Sequence, residues 1–381
     1  MTPAARISAA IEVLDVILTG VAADFALTQW GRANRYAGSG DRAALRDLVF
    51  DALRCKRSYA ALGGGPTGRG LMLGQVRSAG DPAAIFSGLG HAPAPVRADE
   101  AARPPSPNEA LDCPDWLSPH LQASLGDDFA PVMHALQSRA PVFLRVNRAK
   151  GGRDAAMVLL QQDGIVTQPV PDLRDALQVT ENARKIQTSA AYLTGLVELQ
   201  DAASQAVIEA LPLRPALRVL DYCAGGGGKT LAMASHGLRV AAHDANPHRM
   251  RDLPARAQRA GAQVTIVESI EISAQYDLIL TDVPCSGSGS WRRDPQGKWA
   301  LTAEKLAALL ITQAGILDRV ADLVAPGGIL AYATCSLLRP ENQDQIAAFL
   351  QRHSGWTQQI SRSFSPLTGG DGFFLATLTR Q

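Results

Sequence analysis

The chain has 381 residues, enough for two or three domains. Hydrophobic residues at 46% and charged residues at 19% exclude global disorder, a collagen-like repeat and a long coiled coil. Lys and Arg number 37 against 36 Asp and Glu; the net charge of +1 excludes a strongly basic nucleic-acid tail but leaves room for a local basic cleft.

In chain order, Ile7, Ile11, Leu14, Leu18, Val21 and Phe25 recur at spacings of three and four and predict one apolar helical face. Glu12 and Asp15 interrupt this stretch and spoil a signal-peptide core. A second helix is expected from Asp41, read as its N-cap, through Leu45, Leu48, Val49 and Leu53 towards Tyr59, until Gly63-Gly64-Gly65-Pro66 breaks the pattern. The stretch 91–108, dominated by Ala and Pro, holds too little apolar surface to order itself and reads as a linker. A strand at 142–146, a helix at 154–161 and a strand at 165–170 then form a small α+β unit. Strand patterns at 217–222, 238–243, 263–267, 276–281 and 329–334 alternate with helical ones, and 372–378 reads as a final strand. This order predicts a doubly wound α/β domain with a largely parallel sheet and ligand sites at the strands' carboxyl ends.

The five cysteines, Cys55, Cys113, Cys223, Cys285 and Cys335, form no C-x-x-C pair, so neither a disulfide framework nor a four-ligand zinc site is expected. That usage fits a reducing cytosol, and no apolar run is long enough for a transmembrane helix; a soluble cytoplasmic protein is expected.

Chemistry concentrates at the strand ends. Asp221-Tyr222-Cys223-Ala224-Gly225-Gly226-Gly227-Gly228-Lys229-Thr230 runs from a strand through consecutive glycines into a helix, which lets backbone approach a ligand closely. A Walker A loop is excluded because Cys223 holds the place of its first glycine, and a dinucleotide fingerprint because Thr230 holds the place of its third. Asp244, after the next strand, either accepts hydrogen bonds from the ribose hydroxyls of an adenosine-type cofactor or caps the helix before Pro247; both roles are compatible. Asp282-Val283-Pro284-Cys285-Ser286 and Thr334-Cys335-Ser336 follow the fourth and fifth strands. A single cysteine there reads as a small buried hydrophobe, but two at equivalent strand ends beside a carboxylate point to a thiolate nucleophile.

Together, the glycine loop, Thr281-Asp282-Val283-Pro284-Cys285-Ser286-Gly287, Ala333-Thr334-Cys335-Ser336 and the closing Gly370-Asp371-Gly372-Phe373-Phe374 resemble the RsmB/NOP family of S-adenosylmethionine-dependent RNA cytosine-5 methyltransferases. Leu144-Arg145-Val146-Asn147, the run 199–205, and Trp291-Arg292-Arg293-Asp294-Pro295 leading to Lys298-Trp299 add to the resemblance, which covers about 111–381. It implies a Rossmann-like class I methyltransferase sheet (196–381), a small α+β RNA-binding subdomain (111–195) and, after a linker (91–110), a shortened NusB-like helical domain (1–90).

The family pattern further implies Cys335 as the nucleophile that adds to carbon 6 of cytosine, and Cys285 as the thiol that helps release the product. Asp282 is expected at the pyrimidine edge near N3. Lys229 either lowers a neighbouring thiol pKa or is an ordinary helix lysine. Cofactor contacts are expected from Cys223, Ala224, Gly225, Gly226, Gly227, Gly228, Lys229, Asp244 and Asp282. The family's third cofactor acid is replaced by Glu268-Ser269, with Glu268 one position away, and Gly225-Gly226 stands where Ala-Pro is common.

A paired cytosine cannot present carbon 6 to a thiolate, so the RNA must be unpaired there or the base flipped out. Arg145, Arg148, Lys150, Arg292, Arg293 and Lys298 are expected to contact phosphates, and Trp291 and Trp299 either stack on bases or pack internally. Arg54, Lys56 and Arg57 read as a solvated helix end. The expected substrate is 16S ribosomal RNA and the expected state a monomer; transfer RNA is the alternative substrate, and an inactive RNA-binding assembly factor is disfavoured by the retained Cys285, Cys335 and Asp282. An amine N-methyltransferase loop and a nicotinamide oxidoreductase fingerprint are both missing.

Overall fold

The computed structural model describes residues 1–268 and 275–380. It divides into two compact units, Met1–Arg139 with Trp291–Ala300, and Ala140–Ser290 with Leu301–Gln381.

The first unit is helical. Thr2 caps the helix Pro3–Leu18 by accepting from the Ala5 N–H, and Ile7, Val13, Leu14 and Ile17 bury its inner face. The apolar periodicity does not continue as one helix. Gly20 turns the chain at φ 102°, and a separate helix, Ala23–Ala33, leaves Phe25 58% exposed. The next helix, Ser39–Arg54, begins before Asp41, with Gly38 at its N-cap; the Asp41 carboxylate instead accepts from the Arg6 guanidinium. Tyr59 lies on a further helix, Lys56–Gly63. That helix and Gly68–Ala79 meet backbone against backbone. A Cβ at Gly63 would lie 1.7 Å from the Gly70 carbonyl oxygen, and one at Gly74 would lie 1.9 Å from that of Tyr59.

The Ala- and Pro-rich stretch carries no helix or strand from 91 to 106, yet it is anchored. Arg69 donates to the Ala94 and Pro95 carbonyls and pairs with Glu100, which is 6% exposed. A charge pair anchors this segment, and Val96 packs against the helical core beside it. The segment Trp291–Ala300 packs inside the same unit: the Gln296 side chain bonds Ala23 and Val21, and the Trp299 indole donates to the Leu53 carbonyl at 2.7 Å.

The second unit holds two sheets. Strands β1 (Val142–Val146), β2 (Val166–Pro169), β3 (Ala176–Glu181) and β4 (Val197–Leu199) form an antiparallel sheet in the order β2-β3-β1-β4, with the helix Arg153–Gln162 between β1 and β2. Strands β5 (Val219–Asp221), β6 (Val240–Ala242), β7 (Val264–Ile266), β8 (Tyr276–Asp282), β9 (Val324–Thr334), β10 (Trp356–Phe364) and β11 (Phe373–Arg380) form the larger sheet, in the order β10-β11-β9-β8-β5-β6-β7. From β9 to β7 every pairing is parallel, and β10 and β11 close one side antiparallel. The order reverses at β5, which puts a crevice at its carboxyl end. This is the Rossmann-like class I methyltransferase architecture.

Buried side chains cover both faces of the sheet, Leu220, Ile279, Leu330 and Tyr332 on one and Leu278, Leu280, Ala331 and Leu375 on the other. No helix among the described residues is long and apolar enough to cross a membrane. Leu330 is fully buried, so Leu330→Ala should lower stability by about 2–5 kcal/mol in urea unfolding, with the cavity adding to the lost transfer energy.

Candidate active site

The glycine loop leaves β5 at Asp221 and returns into the helix Gly228–Ala234. Gly225 and Gly227 sit at φ 52° and 81°, and a Cβ at Gly227 would stand 2.2 Å from Leu253 Cδ1, so side chains are excluded there twice over. Asp221 is 1% exposed; its Oδ2 accepts from Thr230 Oγ1 at 2.6 Å, while Oδ1 has no partner among the described residues. Burial pushes its pKa up to about 7.

Asp244 follows β6. Its Oδ2 accepts from Gly225 N at 2.9 Å and the Arg249 guanidinium at 3.0 Å, and its Oδ1 from Asn246 N at 2.9 Å. The cap before Pro247 is Asn246, not Asp244: its side chain accepts from His248 N. Asp244 therefore braces the glycine loop, with acceptor capacity remaining on Oδ1. Glu268 is exposed just past β7, and Ser269 lies outside the described residues. A side-chain-free backbone cradle, an orphaned buried acceptor at Asp221 and the acceptor at Asp244 fit a cofactor carrying donor groups and a nucleoside.

The two cysteines come together. β8 and β9 are parallel neighbours, with Asp282 opposite Ala333, so the chains leaving them emerge side by side. Cys285 Sγ and Cys335 Sγ stand 3.4 Å apart, both partly exposed. Lys229 Nζ donates to Asp282 Oδ2 at 2.6 Å, and its ammonium lies 4.8 Å from the Phe373 ring centroid. Burial opposes the Lys229 charge, but the Asp282 carboxylate, its hydrogen bond and Cys335 outweigh it and raise the pKa.

The thiols divide their roles. The hydrogen bond from the Cys285 thiol is the largest influence on Cys335 and favours its thiolate. Burial and Asp282 oppose this, Lys229 and Ser290 assist, and the net direction is down. Cys285 moves well up, through its hydrogen bond to Cys335 first, then burial and the charges of Cys335 and Glu341. The two shifts run in opposite directions and favour the proton of the pair on Cys285.

Several sequence-expected RNA contacts lie inside the protein instead. Arg145 is 5% exposed, donating to Gln200 Oε1 at 2.5 Å and to the Gly228 carbonyl at 2.8 Å, so it struts the glycine loop. Arg148 is half-buried and pairs with Asp175, whereas Lys150 is exposed, its Nζ donating to the Thr194 and Arg259 carbonyls. In the helical unit Trp291, Arg292 and Lys298 are 2%, 3% and 1% exposed, so Trp291 packs rather than stacks, while Arg293 is exposed. Lys298 donates to the Arg54 carbonyl at 3.1 Å and lies over the Trp299 ring, and burial pushes its pKa down to about 8. Nor are Arg54, Lys56 and Arg57 a solvated end. Arg54 is buried against Asp51 and the Arg292 carbonyl, Lys56 lies over Trp299, and Arg57 pairs with Asp115. Their long apolar stems make such burial affordable once the charged heads are hydrogen-bonded.

Sequence reasoning passed over Glu341, which is fully buried and bonded to the serines that follow both cysteines. The repeated Cys-Ser pair was the available clue. Gln313, which reaches the Pro284 carbonyl, was also unmarked.

Residues 208–379 match the family model of the 16S rRNA methyltransferase RsmB/F, and residues 113–187 match the ferredoxin-like domain of the RsmF/B-like methyltransferases. The chain is 32% identical over 286 residues to ribosomal RNA small subunit methyltransferase B of Photorhabdus laumondii, and 34% identical over 285 residues to the protein of that name from Erwinia tasmaniensis. Each match covers 70% of this chain and 66% of the relative, so the chain spans just under two thirds of these curated relatives. A methyltransferase homolog protein from Pyrococcus horikoshii superposes with TM-score 0.64 at 23% identity, over 72% of this chain and 100% of that one, a likeness of fold.

Two measurements probe the assignments of charge. At pH 7 iodoacetamide should modify Cys335 faster than Cys285. Lys229→Met removes a cation that favours the thiolate, raises the Cys335 pKa and should slow its alkylation by roughly tenfold, as followed by peptide mass spectrometry. Lys298→Ala should cost about 2 kcal/mol of stability through lost packing while leaving the salt slope of RNA affinity unchanged in a binding titration.

Proposed function

Because the chain belongs to the 16S rRNA methyltransferase RsmB/F family, we propose that it is an S-adenosylmethionine-dependent RNA methyltransferase that modifies carbon 5 of a cytosine in 16S ribosomal RNA through a covalent cysteine intermediate. The observation that carries this reading is the 3.4 Å approach of Cys285 and Cys335 beside the Lys229–Asp282 pair.

Carbon 5 of cytosine is too weak a nucleophile to take a methyl group unaided. Attack of the Cys335 thiolate on carbon 6 saturates the 5,6 double bond and makes carbon 5 enamine-like, splitting one hard step into two easier ones. Asp282, held by Lys229, accepts a hydrogen bond from the exocyclic amino group at the pyrimidine N3 edge and orients the base for attack. After transfer a solvent base takes the proton from carbon 5, its electron pair re-forms the 5,6 double bond as the carbon 6–sulfur bond breaks, and the departing Cys335 thiolate again accepts the hydrogen bond of Cys285, which favours release.

S-adenosylmethionine supplies the electrophilic methyl on its sulfonium. The backbone of Cys223, Ala224, Gly225, Gly226, Gly227 and Gly228, the acceptors of Asp221 and Asp244, and Glu268 would hold it, with Lys229 and Asp282 at the edge facing the thiols. In functional terms the chain divides as 1–90, helical; 91–110, linker; 111–195, small α+β module; and 196–381, methyltransferase. The two family models, which separate between 187 and 208, support that division. The protein acts as a cytoplasmic monomer on an unpaired or flipped-out cytosine.

Cys335→Ala should abolish methyl transfer, whereas Cys285→Ala should accumulate a protein–RNA adduct that survives a denaturing gel. Bisulfite sequencing of RNA from cells with and without the gene should show one 16S cytosine losing protection. Full turnover by the Cys335 variant would overturn the assigned nucleophile.

A further inference from the structure

Each cysteine of the pair is followed by a serine, and the two serines converge on one side chain. Ser286 donates to Glu341 twice, from its backbone N–H to Oε1 at 2.8 Å and from its hydroxyl to Oε2 at 2.5 Å. The Ser336 hydroxyl donates to the same Oε2. Gln313 Nε2 supplies the fourth donor, to Oε1 at 3.0 Å, and a second bond from the same nitrogen holds the Pro284 carbonyl. Four donors fill the four lone-pair directions of the carboxylate, which is how a fully buried carboxylate is accommodated with no cationic partner among the described residues.

The surroundings lock this arrangement. Ser288 Oγ bridges towards Ser286 and Ser336 and accepts from Leu337 N at 2.8 Å. Glu341 itself is fixed by the Tyr332 hydroxyl, which donates to its carbonyl at 2.6 Å. Beside it, Asn342 bonds Thr334 Oγ1 and the Ser336 carbonyl.

We propose that Glu341 is the positioning residue of the two-thiol site, holding Cys285 and Cys335 at reacting distance through the serine that follows each. The proposal rests on the methyltransferase reading for its purpose, but its geometry stands without it. A carboxylate tied to both loops fixes the separation of two sulfurs that belong to chains 50 positions apart. It also sets their asymmetry. Cys335, Glu341 and Tyr332 face Cys285, whereas Lys229 and Asp282 face Cys335. The Glu341 charge works against ionisation of Cys285, so the proton of the pair rests on Cys285 and the nucleophile is Cys335.

Glu341→Gln, which keeps the size but not the charge, and Glu341→Asp, which keeps the charge on a shorter arm, separate the two effects. Alkylation of Cys285 by iodoacetamide, mapped by mass spectrometry across pH in RNA-free protein, should shift its midpoint down by on the order of one pH unit in Glu341→Gln. In Glu341→Asp the midpoint should stay near the unsubstituted value while single-turnover methyl transfer falls on the order of 100-fold. A merely structural brace would not move the midpoint. If Glu341→Gln does not fold, Ser286→Ala with Ser336→Ala keeps the charge and removes two bonds, and should lose transfer while retaining the Cys285 midpoint. An unchanged midpoint in Glu341→Gln, or full transfer in the serine double variant, overturns the proposal. Absence of methyl transfer in the unsubstituted protein, with the midpoint shift intact, overturns the enzymatic reading alone.

Discussion

The parallel pairing of β8 with β9 is the constraint from which the site follows. Neighbouring strands in a sheet lie about 4.8 Å apart, and parallel ones deliver their carboxyl ends to the same edge. Two loops leaving that edge are forced to run together. What they carry is then a matter of sequence: Asp282 and Cys285 on one, Cys335 on the other. Because β5 lies on the far side of β8, the glycine loop opens onto the same edge, and Lys229 reaches across to Asp282. No single loop contains the chemistry; the sheet order assembles it.

Charge is handled in the same economical way throughout. Arg145, Lys229, Lys298 and Glu341 are all nearly or wholly buried, and each is held by specific hydrogen bonds. Low-dielectric surroundings strengthen such bonds and penalise any member left unpaired, so these groups specify geometry more than they add stability. A few buried polar atoms stay unmatched among the described residues, Arg145 Nε and Arg259 Nε among them, and the acceptor at the start of the glycine loop is Asp221 Oδ1. An orphaned acceptor beside a backbone cradle is the local strain expected where a ligand completes the structure.

The half that carries the paired thiols was the more legible part of the sequence. Central strands covered on both faces read as short apolar runs, so β5, β6, β8, β9 and β11 stand out, while the edge strand β7 was read from Val264 and Ile266. β10, with its Gln-Gln and Ser-Arg-Ser polar face, is an edge strand supported on one side only, and nothing in its composition separates it from loop. β3, ending in Thr180-Glu181, and the three-residue β4 were likewise hidden by polar residues within them. The glycine loop and the paired cysteines were visible because their residue types are costly to place anywhere else. The fate of the basic residues was not visible. An arginine buried behind its own stem and one presented to solvent have the same letters around them; only the three-dimensional partners, such as the Gly228 carbonyl for Arg145, tell them apart. Glu341 escaped notice because its partners are hydroxyls distant along the chain, joined only when the sheet forms.

The segment Trp291–Ala300 departs from the two-sheet unit after Ser290, packs within the helical unit, and is followed by a return to the two-sheet unit at Leu301. The two units are therefore threaded rather than strung in series. A hybrid that exchanged the helical portion for one from another protein would have to bring a matching insert between 290 and 301, because Trp291 and Lys298 are shaped to these helices. Modular shuffling, the easy route by which chains of this size acquire new appendages, is closed here unless both pieces move together.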